Sequence, residues 1–135
     1  MIFRIATLAD TEAVTAIYDG AKKILRDSGI PQWQGPVPGE ASFTEDVKNG
    51  AWRDSNALVA HHVAVSNECR KHGVAVFMLE NAELIAKRIG KTSLRLDTHE
   101  LNHRMRNLLE KCGFVNVGNV HMPNGDPRLA YEKII

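Results

Sequence analysis

Three basic residues, Arg70, Lys71 and His72, and the glycine Gly73 stand directly before a predicted helix that begins at Val74. The first turn of a helix leaves about four backbone N–H groups without intrahelical partners, and the helix dipole favours negative charge at this end. A glycine there lets a ligand approach the backbone closely. The segment therefore predicts an anion-binding site. The alternative, an ordinary turn between a strand and a helix, requires the same residue types.

Several histidines and one glutamate could accept a proton near neutral pH. His99 and Glu100 follow a predicted strand, Leu94–Asp97, at the carboxyl end where ligands bind in sheets with parallel strands. His61 and His62 lie in another predicted strand, in which neighbouring side chains project to opposite faces. At most one of these two would face a ligand. His121 is a further candidate, and the structural alternative for His99 is a hydrogen bond to a backbone carbonyl.

The composition describes an ordinary globular chain and excludes several classes of function. The chain has 135 residues, 44% hydrophobic and 24% charged, with a net charge of +1. We expect a single domain over residues 1–135, with no global field that would attract nucleic acid or a membrane surface. No apolar run approaches the roughly 18 residues that a spanning helix needs. Cys69 and Cys112 have no metal-ligand spacing, and without an export signal a cytoplasmic location is expected.

Hydrophobic periodicity and turn residues predict strands and helices that alternate along most of the chain. Asp10 or Thr11 is the predicted cap of the first helix, and Asn102 that of the last. Asn124-Gly125 predicts a hairpin between the last two strands. The predicted elements are a strand Ile2–Ala6, a helix Glu12–Asp27, an irregular loop Gly29–Gly39, a helix from Ser42 to near Asn49, a strand Leu58–Val65, a helix Val74–Arg88, a strand Ser93–Asp97, a helix Asn102–Cys112, and strands Val115–His121 and Arg128–Ile134.

The spacing Arg70-x-x-Gly73-x-Ala75 resembles the acyl-CoA pyrophosphate loop of the GNAT acetyltransferases, whose pattern is Gln/Arg-x-x-Gly-x-Gly/Ala. Other segments resemble that family in the same order along the chain. They are Arg4–Asp10, Leu94–His99, Asn102 with Leu108, Leu109, Gly113 and Phe114, and Pro127–Lys133. Gln32-Trp33-Gln34 and Asp97–Glu100 are similar to elements of a small bacterial subgroup.

The resemblance implies a mixed α/β fold with a central sheet flanked by helices and with acetyl-CoA as the acyl donor. The cofactor would lie in a V-shaped cleft between His62–Val65 and Leu94–Asp97, with its pantetheine arm paired to the first strand. Asn102 would contact the cofactor as well as cap its helix. The implied cofactor-binding residues are Val63, Ala64, Val65, Arg70, Lys71, His72, Gly73, Val74, Ala75 and Asn102. The implied acceptor-binding residues are Gln32, Trp33 and His61.

The implied reaction is acetyl transfer to a primary amine of a small molecule or peptide by direct attack. In the family a tyrosine commonly protonates the departing thiolate, and its position is filled here by Leu109, which cannot donate a proton. Tyr131 or a bound water would replace it, with His99 and Glu100 as the other catalytic candidates. The alternative is a non-catalytic acyl-CoA-binding or interaction module of the same fold.

One departure from the family concerns the usual second and third strands. Gly50 and Leu58 are separated by seven residues, Ala51 to Ala57, which is too few for a hairpin of two strands of about five residues each. Either the hairpin is lost or the sequence omits a segment near Gly50. A loss would leave an exposed sheet edge that a second subunit could cover. A homodimer is therefore expected.

Overall fold

Helices dominate the first part of the chain and a sheet dominates the second, in a computed structural model that describes residues 1–50 and 56–135. Within these ranges the elements are a 3-10 helix Leu8–Asp10, α1 (Thr11–Asp27), α2 (Glu40–Asn49), β1 (Ala57–Val59), a 3-10 helix Asn67–Cys69, α3 (Val74–Arg88), β2 (Ser93–Thr98), α4 (His103–Lys111), β3 (Val115–His121) and β4 (Pro127–Ile134). The architecture is the expected mixed α/β type, with one sheet flanked by helices.

The described residues form two compact units. The first contains residues 1–50 and His62–Met78, and the second contains residues 56–61 and Leu79–Ile135. The prediction that two strands are lacking concerns the segment between Gly50 and Leu58, and residues 51–55 of this segment lie outside the described residues. Among the described residues, no strand stands between α2 and β1.

The first unit packs α1 against α2. On α1 the buried residues Tyr18, Ala21 and Leu25 follow helical spacing, and α2 contributes the buried Phe43. α2 begins at Glu40, two residues before its predicted start at Ser42.

The predicted cap of α1, Asp10, occupies the N-cap position but makes no side-chain bond to that helix. Its carboxylate accepts hydrogen bonds from the Thr7 N–H at 2.8 Å and from the Arg4 guanidinium at 2.6 Å, so it stabilises the turn before the helix instead. The hydrogen bonds from Arg4 and Thr7 hold the pKa of Asp10 well below its usual range.

The second unit is built on a four-stranded sheet in the order β1-β2-β4-β3. β1 runs parallel to β2, and the β2–β4 and β3–β4 pairs are antiparallel. The predicted hairpin of β3 and β4 is confirmed, with turn bonds between Met122 and both Gly125 and Asp126. The core of this unit is formed by apolar residues with at most 6% exposure, namely Ala57, Leu58, Leu79, Ala86, Leu94, Leu96, Leu109, Phe114 and Tyr131.

Two predicted strands are wrong in whole or in part. Ile2–Ala6 forms no strand, and Ile2 and Ile5 are 92% and 86% exposed. A strand requires a hydrogen-bonded partner strand, and its alternating residues alone do not supply one. The strand predicted over Leu58–Val65 ends at Val59, because His62 adopts a φ of +53° and takes the chain out of the extended conformation. His61 and His62 therefore lie outside a strand and do not face its opposite sides.

Candidate active site

The basic loop before α3 has the conformation that an anion site requires. Gly73 adopts a φ of +76°, and α3 begins at Val74 as predicted. The first intrahelical bond runs from the Phe77 N–H to the Gly73 carbonyl at 3.0 Å, so the N–H groups of the three preceding residues lie ahead of it. A β-carbon added at Gly73 would meet no atom within 4 Å, which leaves the surface above the glycine open.

The side chains around this loop are basic and mostly accessible. Lys71, His72 and Gly73 are exposed, whereas Arg70, Val74 and Ala75 are half-buried. Lys71 has a φ of +65°, an uncommon value for a residue with a β-carbon. The cationic side chains of Arg70 and Lys71 and the imidazole of His72 thus directly precede the N-terminus of a 15-residue helix.

Val63, Ala64 and Val65 precede this loop in the same unit and are half-buried, but they lie outside any strand. Their predicted pairing with the pantetheine arm would therefore require them to become extended when the cofactor binds. The turn after them is fixed by a bond from the Cys69 N–H to the Ser66 carbonyl at 3.1 Å.

In the second unit, β2 extends beyond its parallel partner. The β1–β2 register ends with Val59 opposite Arg95, and β2 continues through Leu96, Asp97 and Thr98. The predicted site residues His99 and Glu100 come directly after this end of β2, which remains paired with β4 on its other side. Their position at the carboxyl end of β2 agrees with the sequence-based prediction.

His99 is half-buried, and its Nδ1 accepts a hydrogen bond from the Leu101 N–H at 3.1 Å. The neutral ring therefore bears its proton on Nε2, which makes that nitrogen a hydrogen-bond donor. Glu100 is exposed, and its backbone carbonyl accepts a bond from the Arg106 guanidinium at 2.9 Å. The carboxylate of Glu100 can thus accept a proton or a hydrogen bond, whereas the Nε2–H of His99 can donate a hydrogen bond.

Asn102 caps α4 as predicted, since its Oδ1 accepts a hydrogen bond from the Met105 N–H at 3.2 Å. Leu109, in the position of the family's tyrosine, is fully buried.

Tyr131 on β4 is 1% exposed, and its hydroxyl lies 3.4 Å from the Arg106 Nε and 3.5 Å from a Glu110 carboxylate oxygen. The Tyr131 hydroxyl therefore already has two partners on α4.

The predicted acceptor-binding residues lie in different surroundings. Gln32 is buried, Trp33 is half-buried with a φ of +65°, and His61 is exposed. Their loop is attached to α1 by a bond from the Lys22 ammonium to the Gly35 carbonyl at 2.9 Å and by a bond from the Gln34 amide to the Lys22 carbonyl at 3.1 Å.

Trp33 packs edge-to-face on Tyr18 and His62, with ring centroids 6.4 and 6.1 Å apart. Two residues that no sequence pattern indicated, Tyr18 and Asp46, contact His62. Tyr18 lies 44 positions and Asp46 lies 16 positions from His62 in the sequence, so no spacing motif links them.

We also considered metal-binding clusters, membrane-spanning helices and surface depressions as possible sites. Among the described residues no three His, Cys, Asp or Glu side chains come together as a metal site. In the same part of the chain, no helix is long and apolar enough to cross a membrane. Two surface depressions lie along α1 and α2, and both include Glu40 in their lining. Neither is lined by a residue of the basic loop before α3.

Comparison with known proteins places the chain in a family. Residues 37–114 match the model of the acetyltransferase (GNAT) family, which is more than half of the chain. A GNAT-family acetyltransferase from Streptococcus agalactiae is 25% identical, with a TM-score of 0.83, over 98% of this chain and 94% of that one. No curated protein matches the chain. The chain belongs to the GNAT acetyltransferase family.

Two further solved structures show the same fold at lower identity. A ribosomal-protein-alanine N-acetyltransferase from Brucella melitensis is 18% identical, with a TM-score of 0.76, over 100% of both chains. A Salmonella typhimurium protein solved with its cofactor acetyl-CoA is also 18% identical, with a TM-score of 0.72, over 97% of this chain and 91% of that one. The chain is an N-acetyltransferase that uses acetyl-CoA as its acyl donor and an amine as its acceptor.

Proposed function

We propose that this enzyme transfers the acetyl group of acetyl-CoA directly to a primary amine of a small molecule or peptide. The observation that carries this proposal is the open N-terminus of α3, which follows Gly73 in a left-handed conformation and stands beside Arg70 and Lys71. Backbone N–H groups at a helix N-terminus suit a pyrophosphate, and the two cations neutralise part of its charge.

The cofactor would be held chiefly by the backbone of the basic loop. Lys71, His72, Gly73, Val74 and Ala75 would present N–H groups to the pyrophosphate, and the Arg70 side chain would add charge. Val63, Ala64 and Val65 would pair with the pantetheine arm once extended. Asn102 would contact the cofactor while it keeps α4 capped.

Direct attack sets three chemical requirements. The acceptor must lose a proton, because an ammonium of pKa about 10 has no lone pair with which to attack. The tetrahedral oxyanion needs hydrogen-bond donors, which backbone N–H groups of the Val63–Val65 segment would supply. The departing thiolate needs a proton.

The three catalytic candidates suit these requirements to different degrees. The Glu100 carboxylate is exposed and suits proton acceptance, and the Nε2–H of His99 suits donation to substrate. Tyr131 remains the candidate for thiolate protonation. It would have to exchange its contacts with Arg106 and Glu110 for one with the thiolate.

The acceptor would bind beside the Gly29–Gly39 loop. Trp33 offers an aromatic face, Gln32 offers an amide, and His61 is exposed one residue before His62. An aromatic face attracts a cation by about 0.5–1 kcal/mol at an accessible site, which suits an amine that arrives as ammonium.

The reaction class is tested by release of CoA thiol from acetyl-CoA with a panel of polyamines, amino acids, aminoglycosides and peptides. Mass spectrometry of the products should show an added acetyl group on nitrogen for at least one amine. Binding of acetyl-CoA without thiol release from any of them would contradict the proposal and favour a non-catalytic module.

We also propose that the enzyme is a homodimer in the cytoplasm. β3 is an edge strand whose seven residues are all exposed, and it contains no charged residue apart from the titratable His121. Uncharged edge strands are prone to pair with another strand, and a second subunit would cover this edge. Both cysteines are free thiols, which suits a reducing compartment.

A further inference from the structure

The imidazole of His62 is surrounded by side chains from three separate segments of the first unit. Tyr18 of α1 and Trp33 of the Gly29–Gly39 loop present rings whose centroids lie 6.0 and 6.1 Å from that of the imidazole, with interplanar angles of 75° and 76°. Asp46 of α2 places a carboxylate oxygen 3.6 Å from the imidazole Nδ1. Together these contacts fix both the position and the orientation of the ring.

Two of the residues in this cluster, Trp33 and His62, have uncommon backbone conformations. In the described part of the chain, three residues other than glycine have positive φ, namely Trp33 at +65°, His62 at +53° and Lys71 at +65°. The first two pack on each other, and the third belongs to the basic loop. Such conformations cost about 1–3 kcal/mol each and occur mostly at functional sites, where the surroundings enforce them.

We propose that His62, in place of Glu100, accepts the proton of the acceptor ammonium and that Asp46 acts as its positioning residue. This inference rests on the proposed acetylation of a primary amine. A carboxylate beside Nδ1 favours the proton on that nitrogen, so Nε2 carries the lone pair of the neutral ring. His99 has the opposite arrangement, because its Nδ1 accepts a backbone N–H. His62 also directly precedes Val63–Val65, the segment proposed to bind the pantetheine arm.

The proton balance of the step is complete without a further reagent. The ammonium nitrogen gives one proton to Nε2 of His62, and the resulting lone pair attacks the thioester carbonyl. The C–N bond forms and the C–S bond breaks. The CoA thiolate takes up one proton and the nitrogen loses its second one, so the balance is the same whether this proton passes directly or through the Tyr131 hydroxyl. The imidazolium, stabilised by the Asp46 carboxylate, then returns its proton to water.

The pH profile of kcat/KM tests this role, with the best amine of the thiol-release panel as substrate. Within residues 1–50 and 56–135, the titratable groups that contact His62 include Asp46 of α2 and Tyr18 of α1. Burial, and then the charge of Asp46, raises the pKa of Tyr18, so the phenol stays neutral near pH 7. A change of the acid limb in variants of His62 and Asp46 would therefore report the imidazole.

His62→Asn is the informative variant, because asparagine tolerates positive φ better than most residues. We expect kcat/KM at pH 7 to fall about 100-fold and to rise with pH toward the pKa of the free amine, while the Kd for acetyl-CoA stays the same. Asp46→Asn should move the acid limb of kcat/KM to lower pH, since the imidazolium loses its counter-charge. His103→Asn, at the exposed start of α4, is the matched control and should keep the wild-type profile.

Each other outcome overturns the inference. If the variant His62→Asn keeps the wild-type pH profile, or Asp46→Asn keeps the acid limb in place, His62 is not the proton acceptor although the enzyme acetylates amines. If the wild-type enzyme acetylates no amine, the proposed function fails and this inference fails with it.

Discussion

Cys69 and Cys112 differ in exposure, and we expect them to differ in reactivity. Cys69 is exposed, whereas Cys112 is half-buried behind the end of α4, and burial raises the pKa of its thiol. Because the thiolate is the reactive species, Cys112 should react more slowly with N-ethylmaleimide at pH 7, by about tenfold or more. Mass spectrometry against time gives both rates, and Cys69→Ser should leave only the slow one. Equal rates at the two cysteines would contradict this account.

Single residues with a local role were the most predictable from sequence. Asn102 as a helix cap and Gly73 as a glycine at positive φ follow from the residues next to them in the chain. The positive φ of Trp33 and His62 could not be predicted, because it is enforced by side chains far away in the sequence. Asp10 or Thr11 is the predicted cap of α1. The Asp10 carboxylate instead accepts hydrogen bonds from the nearby Arg4 and Thr7.

At the level of elements, the start of α4 depends on one side chain. Asn102→Ala removes the acceptor of the Met105 N–H bond and should lower the free energy of unfolding by about 1 kcal/mol. Asn102→Ser restores a cap and should be close to the wild type. Urea unfolding measures both variants. Equal stability of the alanine and serine variants would show that the cap contributes nothing.

An ion pair between α3 and β4 should make stability depend on pH. Glu83 lies 2.6 Å from Lys133 and 2.8 Å from Lys87, and hydrogen bonds from these lysines lower its pKa from the ordinary value of 4.5. A lowered pKa in the folded state stabilises the fold above the unfolded-state pKa, and this contribution disappears as the pH falls through the folded-state value.

Glu83→Gln should therefore cost about 0.5–1 kcal/mol at pH 7, a modest amount because the pair is partly exposed. The difference from the wild type should shrink as the pH falls from 7 toward 3, because the carboxylate becomes protonated as the pH passes through its lowered pKa. Urea unfolding at both pH values measures this difference. Lys87→Gln, which removes the more exposed partner, should cost less than Lys133→Gln. A stability difference between wild type and Glu83→Gln that is the same at both pH values would contradict the role of this ion pair.

Helices and hairpins that are determined by a local sequence pattern matched their predictions. Two predicted strands, which depend on pairing with a distant segment, did not. α3 and the β3–β4 hairpin have the predicted bounds within a residue, because helical spacing and the Asn-Gly turn are local signals. Ile2–Ala6, which alternates weakly, and the apolar segment Leu58–Val65 are both predicted as strands, and of the two only Leu58 and Val59 lie in one. Whether alternating residues form a strand depends on pairing with another segment, which single-sequence patterns do not contain.

For the whole molecule, the proposed homodimer predicts a mass in solution of about twice the 15.0 kDa of one chain. Light scattering at micromolar concentration measures it. If β3 forms the interface, Val117→Lys should produce monomers, because a lysine at the edge opposes strand pairing. Val117 is 57% exposed, so this change should leave the fold intact. Monomeric scattering of the wild type would contradict the dimer.

The central claim is that acetyl-CoA binds at the basic loop before α3, and isothermal titration tests it most directly. Gly73→Val places side-chain atoms where the pyrophosphate would contact the backbone and should weaken acetyl-CoA binding at least tenfold. Gly90→Val is the matched control, since Gly90 has a similar φ of +74°, also has open space around it, and lies beyond the other end of α3. The account predicts a weakened Kd for Gly73→Val alone. Equal affinity of the two folded variants, or no binding by the wild type at millimolar acetyl-CoA, would contradict it.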